Sequence, residues 1–173
     1  MTKLLDFVGK KNHLIILFAL VILFNVLLSF FMPKDQALDL KFAYTFGEAY
    51  QSIETMDLET RQIYRLGVWT LDFPYMILYS LAFYGLLFKI WGNRGFIKLP
   101  FLIALMDLGE NLLVIKILNS FPDVNKSMAI LASVFTTSKW ILVGVLMLFI
   151  LGGLFKILHS KALSKEEREE VKA

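Results

Sequence analysis

The sequence predicts an all-α integral membrane protein: a four-transmembrane-helix bundle with a short amphipathic helical segment between helices 1 and 2. Three observations predict this fold class: a hydrophobic fraction of 57%, several apolar runs of spanning length, and basic residues that flank those runs. A helix needs about 20 consecutive apolar residues to cross a bilayer. Because 173 residues suit one domain, we expect residues 1–173 to form a single membrane domain.

The composition argues against several kinds of site. The chain has no cysteine, which excludes disulfides, thiolate metal ligands and a thiol nucleophile. His13 and His159 lie near the ends of apolar runs, so neither a histidine-based triad nor a zinc site is expected. The net charge is only +3, and no motif indicates a cofactor. We therefore expect no cofactor, no metal and no nucleic-acid partner.

The first predicted span covers residues 13–32 and follows a basic N-terminus. A signal peptide is the alternative, because a basic start followed by an apolar core is also typical of secretory leaders. The bulky Phe30 and Phe31 stand where a small-residue cleavage site would lie, which favours a retained helix. Asn25 and Ser29 are its polar interior residues, and they either contact neighbouring helices or line a site.

Residues 45–66 are predicted to form an outer helical segment. Thr45 and Glu48 fit a capping box, and Asp57 can cap a second short helix. Two amphipathic helices lying against the membrane surface are the expected structure. A lid over a site that opens on this side is the alternative.

The second predicted span, residues 68–91, carries an aspartate about one turn from its start. Asp72, Tyr75 and Tyr79 follow one another at spacings of three and four, so they share one helix face. Tyrosines near an interface often serve only as anchors there. An aspartate on the same face gives a polar lining equal support.

The third predicted span, residues 96–118, contains the most informative group of residues. Asp107, Glu110 and Asn111 fall near its centre and project from one helix face. One charged side chain at mid-membrane costs about 2.5–3.5 kcal/mol on insertion scales. This face is therefore expected to line a polar site enclosed by protein.

The fourth predicted span, about residues 128–155, belongs to an apolar segment longer than one bilayer needs. Lys139 lies near mid-membrane, with Thr136 one turn before it on the same side. Residues 160–173 form a charged tail, predicted to be a solvated helical end.

The basic residues predict the orientation. Of the 18 Lys and Arg residues, eleven lie in the N-terminus, the second connection and the tail, against five in the first and third connections. The positive-inside rule then places both termini in the cytoplasm and residues 45–66 outside. The expected location is the plasma (inner) membrane, as a multi-pass protein.

Depth along the helices predicts where the polar residues meet. At a rise of about 1.5 Å per residue, Asp107 and Lys139 reach a similar level, and the other polar positions trend outward from it. A pocket opening outward, or sideways into the outer leaflet, accounts for this arrangement. Asp107 and Glu110 are the candidate catalytic carboxyl groups. The candidate ligand-binding residues are Asp72, Tyr75, Tyr79, Asn111, Thr136 and Lys139.

Four sequence motifs together resemble a family of small four-span bacterial membrane proteins. The motifs are Thr60-Arg61-Gln62-Ile63-Tyr64, Leu71-Asp72-Phe73-Pro74 with Tyr79, Asp107-x-x-Glu110-Asn111, and Phe135-Thr136-Thr137-x-Lys139-Trp140. The resemblance covers about residues 42–140. It implies the four-span fold, but it transfers no function, because no activity is attached to the family.

Three functional classes fit these residues. In the first, a lipophilic small molecule or lipid enters the site, and a carboxyl group binds its polar group or acts as acid or base. In the second, Asp107 or Glu110 pairs with Lys139 as a structural clamp in an accessory subunit, with a homo-oligomer or another membrane protein as partner. In the third, these three residues relay protons or cations in a small transporter, although four helices make a narrow bundle.

Overall fold

The computed structural model describes Leu5 and residues 7–170, and the regular structure within that part of the chain is helical. The all-α prediction is thereby confirmed. The α-helices are α1 (Lys11–Phe31), α2 (Phe46–Glu54), α3 (Leu58–Gly67), α4 (Phe73–Trp91), α5 (Leu99–Ser120) and α6 (Lys126–Glu170). Short 3₁₀ turns, Leu38–Leu40 and Gly95–Lys98, lie in the connections.

Three helical segments are long and apolar enough to cross a membrane: Lys11–Phe31, Leu58–Trp91 and Lys126–Ser160. Helix α5 has 22 residues, a sufficient length, but it differs from the other three in carrying Asp107, Glu110 and Lys116. The structure therefore supports a helical membrane protein with three candidate spans.

Helix α3 continues into α4 through a π-helical turn, Val68–Asp72. The segment from Leu58 to Trp91 is thus one long helix. Asp57 caps its start by accepting a hydrogen bond from the Thr60 backbone N–H at 2.7 Å, as predicted. The second helix of the predicted segment 45–66 is therefore the first part of a long helix, and it is not a separate unit.

The capping box at the start of α2 is also confirmed. The Thr45 side chain accepts a hydrogen bond from the Glu48 backbone N–H, and the Glu48 carboxylate accepts one from the Thr45 backbone N–H at 2.6 Å. This second hydrogen bond lowers the pKa of Glu48, because it stabilises the ionised carboxylate. The box satisfies backbone donors that the first turn of a helix leaves without partners.

The connection after α1 is fixed to the rest of the protein by side chains. The buried Tyr64 hydroxyl donates to Asp39 Oδ1 at 2.9 Å and accepts from the Leu38 backbone N–H at 3.0 Å. The Trp140 indole N–H donates to the Asp39 carbonyl at 3.3 Å. These contacts fix residues 38–40 against Tyr64 of α3 and Trp140 of α6.

Helix packing leaves a space between α1 and α6. Helix α5 packs against α4 and α6, and α1 packs against α4, but α1 and α6 do not pack closely over their described residues. Helix α5 approaches α6 closely at Gly109, where an added Cβ would lie 2.8 Å from the Phe135 ring. This approach brings the two helices' polar residues within contact distance.

The buried apolar residues form two clusters, one on each side of a polar layer. Along α5, Ile103 belongs to one cluster and Val114, Ile115, Ile117 and Leu118 to the other. Asp107, Glu110 and Asn111 lie between them. Along α6, Ala132 and Leu146 belong to opposite clusters, and Thr136 and Lys139 lie between them. The fold therefore places its polar site in the middle of the long helices.

Candidate functional site

The centre of the site is a buried lysine shared by two carboxylates. Lys139 Nζ lies 3.0 Å from Asp107 Oδ1 and 2.6 Å from Glu110 Oε2. Glu110 is fully buried, and Asp107 is 5% exposed. Because the carboxylates are three residues apart on α5, one ammonium group on α6 reaches both. The predicted pairing of Lys139 with these acids is confirmed.

A second group of contacts holds the far side of Glu110. The Thr136 hydroxyl lies 2.6 Å from Glu110 Oε1 and 2.9 Å from the Ala132 carbonyl oxygen, so its single proton serves one of these acceptors at a time. The Tyr44 hydroxyl lies 3.5 Å from the same threonine oxygen. Burial raises the pKa of Tyr44 above its ordinary value of 10.0, so this phenol stays neutral.

The near side of the site carries two further side-chain pairs. The Tyr79 hydroxyl donates to Asp107 Oδ2 at 2.9 Å, so both oxygens of this carboxylate have partners. Asn111 Nδ2 donates to Asp72 Oδ2 at 2.6 Å. The Asp72 carboxylate thus has a neutral amide as its partner, while Asp107 has a lysine.

A cavity of about 480 Å³ opens beside these residues. Its polar wall contains Asp72, Tyr75, Tyr79, Asp107 and Lys139. Its apolar wall is formed by Leu28 and Met32 of α1, Phe83 of α4, Ile103 of α5, and Val143, Leu146 and Met147 of α6. A mostly apolar cavity with a few converging polar groups is the usual form of a small-molecule site.

The predicted site residues divide into two sets around this cavity. Asp72, Tyr75, Tyr79, Asp107 and Lys139 line it. The other three, Glu110, Asn111 and Thr136, are buried behind this wall and contact its residues through Lys139 and Asp72. All eight therefore belong to one connected group.

The cavity wall also contains residues outside the eight predicted site residues, among them Asn25 and Ser29, for which lining a site was one of two alternatives. Lys34, Asp39 and Trp140 line it, and Asn25 and Ser29 contribute from α1. For Asn25 and Ser29 the polar face of an apolar helix was a usable signal. For Asp39 no local signal existed, because its place depends on the distant Tyr64. Lys34, Asp39 and Leu40 line the cavity from the connection after α1, whereas residues 45–66, the predicted lid, contribute no residue to the lining.

The arrangement limits the chemistry available. Over residues 5 and 7–170, no three His, Cys, Asp or Glu side chains converge as metal ligands would. The lining offers carboxylates, phenols and the ammonium groups of Lys139 and Lys34, which can bind a polar group or exchange a proton with it. Comparison with family models, curated proteins and solved structures found no match to this chain. The family resemblance stays a prediction, and function must be argued from the site.

Proposed function

We propose that this protein is a four-span integral membrane protein that binds a lipophilic small molecule or lipid in the cavity beside Asp107, for binding alone or for acid–base processing. The observation that carries the proposal is the cavity itself. It joins an apolar wall to a buried polar layer. An apolar chain and a polar headgroup would each find a matching surface there.

The burial of the carboxylates supports α5 as a further span, which would be the third of four in chain order. Asp107 and Glu110 face Lys139 inside the protein, so the charges that distinguish α5 from the other helices need not contact lipid. Lys116 is exposed near the end of α5, where a long side chain can reach the interface. With both termini in the cytoplasm, the cavity would lie under the outer segment.

In this proposal the residues have separate roles. Asp107 contacts the ligand's polar group and is the group best placed to exchange a proton with it, since it lines the cavity. Lys139 and Tyr79 orient this carboxylate through contacts of 3.0 and 2.9 Å. Glu110 has no wall position, so it acts through Lys139 and not on the ligand directly.

The second candidate function is a structural clamp. The shared contacts of Lys139 with two acids of α5 favour it, because they join α5 to α6 with no ligand present. A clamp alone, however, explains neither Asp72 nor the cavity beside it. Buried ion pairs are also weak sources of stability, since desolvation offsets much of their attraction.

Mass spectrometry of small molecules and lipids retained by the purified protein tests the proposal. Wild type would be compared with an Asp107→Asn, Glu110→Gln variant and with Val143→Phe, which fills the cavity while keeping every polar contact. We expect a compound retained at near-stoichiometric level by wild type and lost from both variants. Identical profiles for all three folded proteins would exclude the ligand site and favour the clamp or ion transport. Flux measurements in proteoliposomes would then decide between those two.

A further inference from the structure

Two carboxylates of the cavity lining, Asp39 and Asp72, have no cation among the described residues within 4.0 Å, and of these two Asp72 is the buried one. Within the described part of the chain, the ion pairs closer than 4.0 Å are the two made by Lys139, and neither involves Asp72. Asp72 is only 7% exposed, and its hydrogen-bond partner is the neutral Asn111 amide. A carboxylate taken out of water is costly unless a positive charge or hydrogen bonds compensate it.

The partners of Lys139 explain why this lysine does not form an ion pair with Asp72. Its ammonium group contacts Asp107 and Glu110 at 3.0 and 2.6 Å, and the Tyr79 hydroxyl also donates to Asp107 and not to Asp72. Asn111 donates to one oxygen of Asp72, and Asp72 itself lines the cavity. Lys34, the other lysine of the lining, is exposed and makes no ion pair with Asp72 within 4.0 Å. The position that remains open for a positive charge is therefore inside the cavity.

The apolar wall indicates what accompanies that charge. Leu28 of α1 and Val143 and Met147 of α6 line the cavity from opposite sides, where these two helices do not pack closely. Met147 is 46% exposed and marks the side opening of the cavity. Because both helices are long and apolar enough to cross a membrane, that opening would face lipid chains.

We infer that the ligand is an amphiphile with a protonated amino group, which Asp72 binds as its counter-ion while the alkyl chain leaves between α1 and α6. This inference rests on the proposed function and specifies the ligand class. A volume of about 480 Å³ suits an amino headgroup and the first part of a chain. Either an aminophospholipid headgroup or a free lipophilic amine would supply this ammonium group.

Fluorescence quenching of Trp140 in phosphatidylcholine nanodiscs tests the inference, since this indole lines the cavity. The probes are a long-chain primary alkylamine and the alcohol of equal chain length, both brominated near the polar end. We expect the amine to quench the fluorescence of wild type at a concentration at least about tenfold lower than the alcohol requires. This ratio corresponds to a difference of about 1.4 kcal/mol in binding free energy. The Trp140→Phe variant should lose this quenching, which assigns it to the cavity.

Three variants identify the counter-ion. Asp72→Asn keeps an oxygen to accept from Asn111 and should abolish the preference for the amine. Asp72→Glu keeps the charge and should retain the preference for the amine. Asp123→Asn, at an exposed acid far along the chain, is the matched control and should behave as wild type.

The outcomes separate the two proposals. Equal quenching by amine and alcohol in wild type, or a preference that survives Asp72→Asn, would overturn the ammonium inference and leave the ligand site standing. Quenching by neither probe would count against the proposed function itself. If Asp72→Asn does not fold, the comparison of the two probes in wild type still decides. Competition by added phosphatidylethanolamine assigns the ammonium group to a lipid, and lack of competition assigns it to a free amine.

Discussion

Lys139 of α6 and Glu110 of α5 approach to 2.6 Å, and the glutamate is fully buried. The same ammonium group also contacts Asp107 at 3.0 Å. One residue of α6 therefore compensates two charges of α5. Loss of the lysine leaves two carboxylates unpaired, whereas loss of one acid leaves the other ion pair in place.

The first prediction compares removal of Lys139 with removal of either of its two acidic partners. Lys139→Met leaves two buried carboxylates without a cation and should lower the free energy of unfolding by about 3–5 kcal/mol. Asp107→Asn or Glu110→Gln should cost less, because each leaves one acid paired with the lysine. Thermal unfolding of the purified proteins in one detergent measures this order. The triple variant that neutralises all three residues should recover most of the loss, and no recovery would argue against a shared ion pair.

Thr136 provides the second prediction. Thr136→Val removes the hydroxyl 2.6 Å from Glu110 Oε1 and should cost about 1–3 kcal/mol, because a buried carboxylate oxygen loses a partner. Thr137→Val is the matched control, since the Thr137 hydroxyl donates to the Ser133 carbonyl within its own helix. Unfolding temperatures of the two variants are compared directly. Equal effects would show that the Glu110 contact contributes nothing measurable.

The close approach of α5 to α6 gives the third prediction. Gly109→Ala places a Cβ 2.8 Å from the Phe135 ring, so we expect a loss of about 1–3 kcal/mol from overpacking. Adding Phe135→Leu should restore part of it, because the smaller side chain leaves room. Chemical unfolding of the single and double variants tests the coupling. A stabilised Gly109→Ala protein would mean that the ring moves aside at no cost.

The capping box of α2 gives a prediction about pH. The Thr45 backbone N–H holds the pKa of Glu48 below its ordinary value of 4.5 in the folded protein. The ionised carboxylate therefore stabilises α2 above that value, and the contribution is lost as the pH falls through the lower, folded pKa. Amide exchange of Ala49 and Tyr50, corrected for intrinsic rates, should become faster over this acidic range. Glu48→Gln should remove the pH dependence, and an unchanged profile in that variant would assign it to another group.

Much of the fold follows from local sequence signals. Long apolar runs define the helices, and the Thr45 and Asp57 caps follow from residue type and spacing alone. The grouping of Asp107, Glu110 and Lys139 was predictable from depth, because a regular rise per residue places buried charges at comparable levels. Residues from three of the four motifs, Tyr79, Asp107 and Lys139, then contact one another across α4, α5 and α6.

Other features depended on tertiary contacts. The π-helical turn before Phe73 has no simple residue pattern, since Val68 and its neighbours suit an α-helix equally well. The position of Asp39 follows from its hydrogen bond to Tyr64, 25 residues away. The cavity depends on α1 standing apart from α6, which neither helix's own sequence specifies.

The π-helical turn, Val68–Asp72, has a consequence for chain length. Each residue turns an α-helix by about 100°, so the wider turn sets the angle between the faces of α3 and α4. Deleting Leu71 would rotate one face against the other by about this amount, and Tyr64 could not reach Asp39 while Asp72 faced Asn111. Leu71→Ala keeps the rotation and should unfold at a higher temperature than the deletion. At this point the number of residues matters more to the site than their identity.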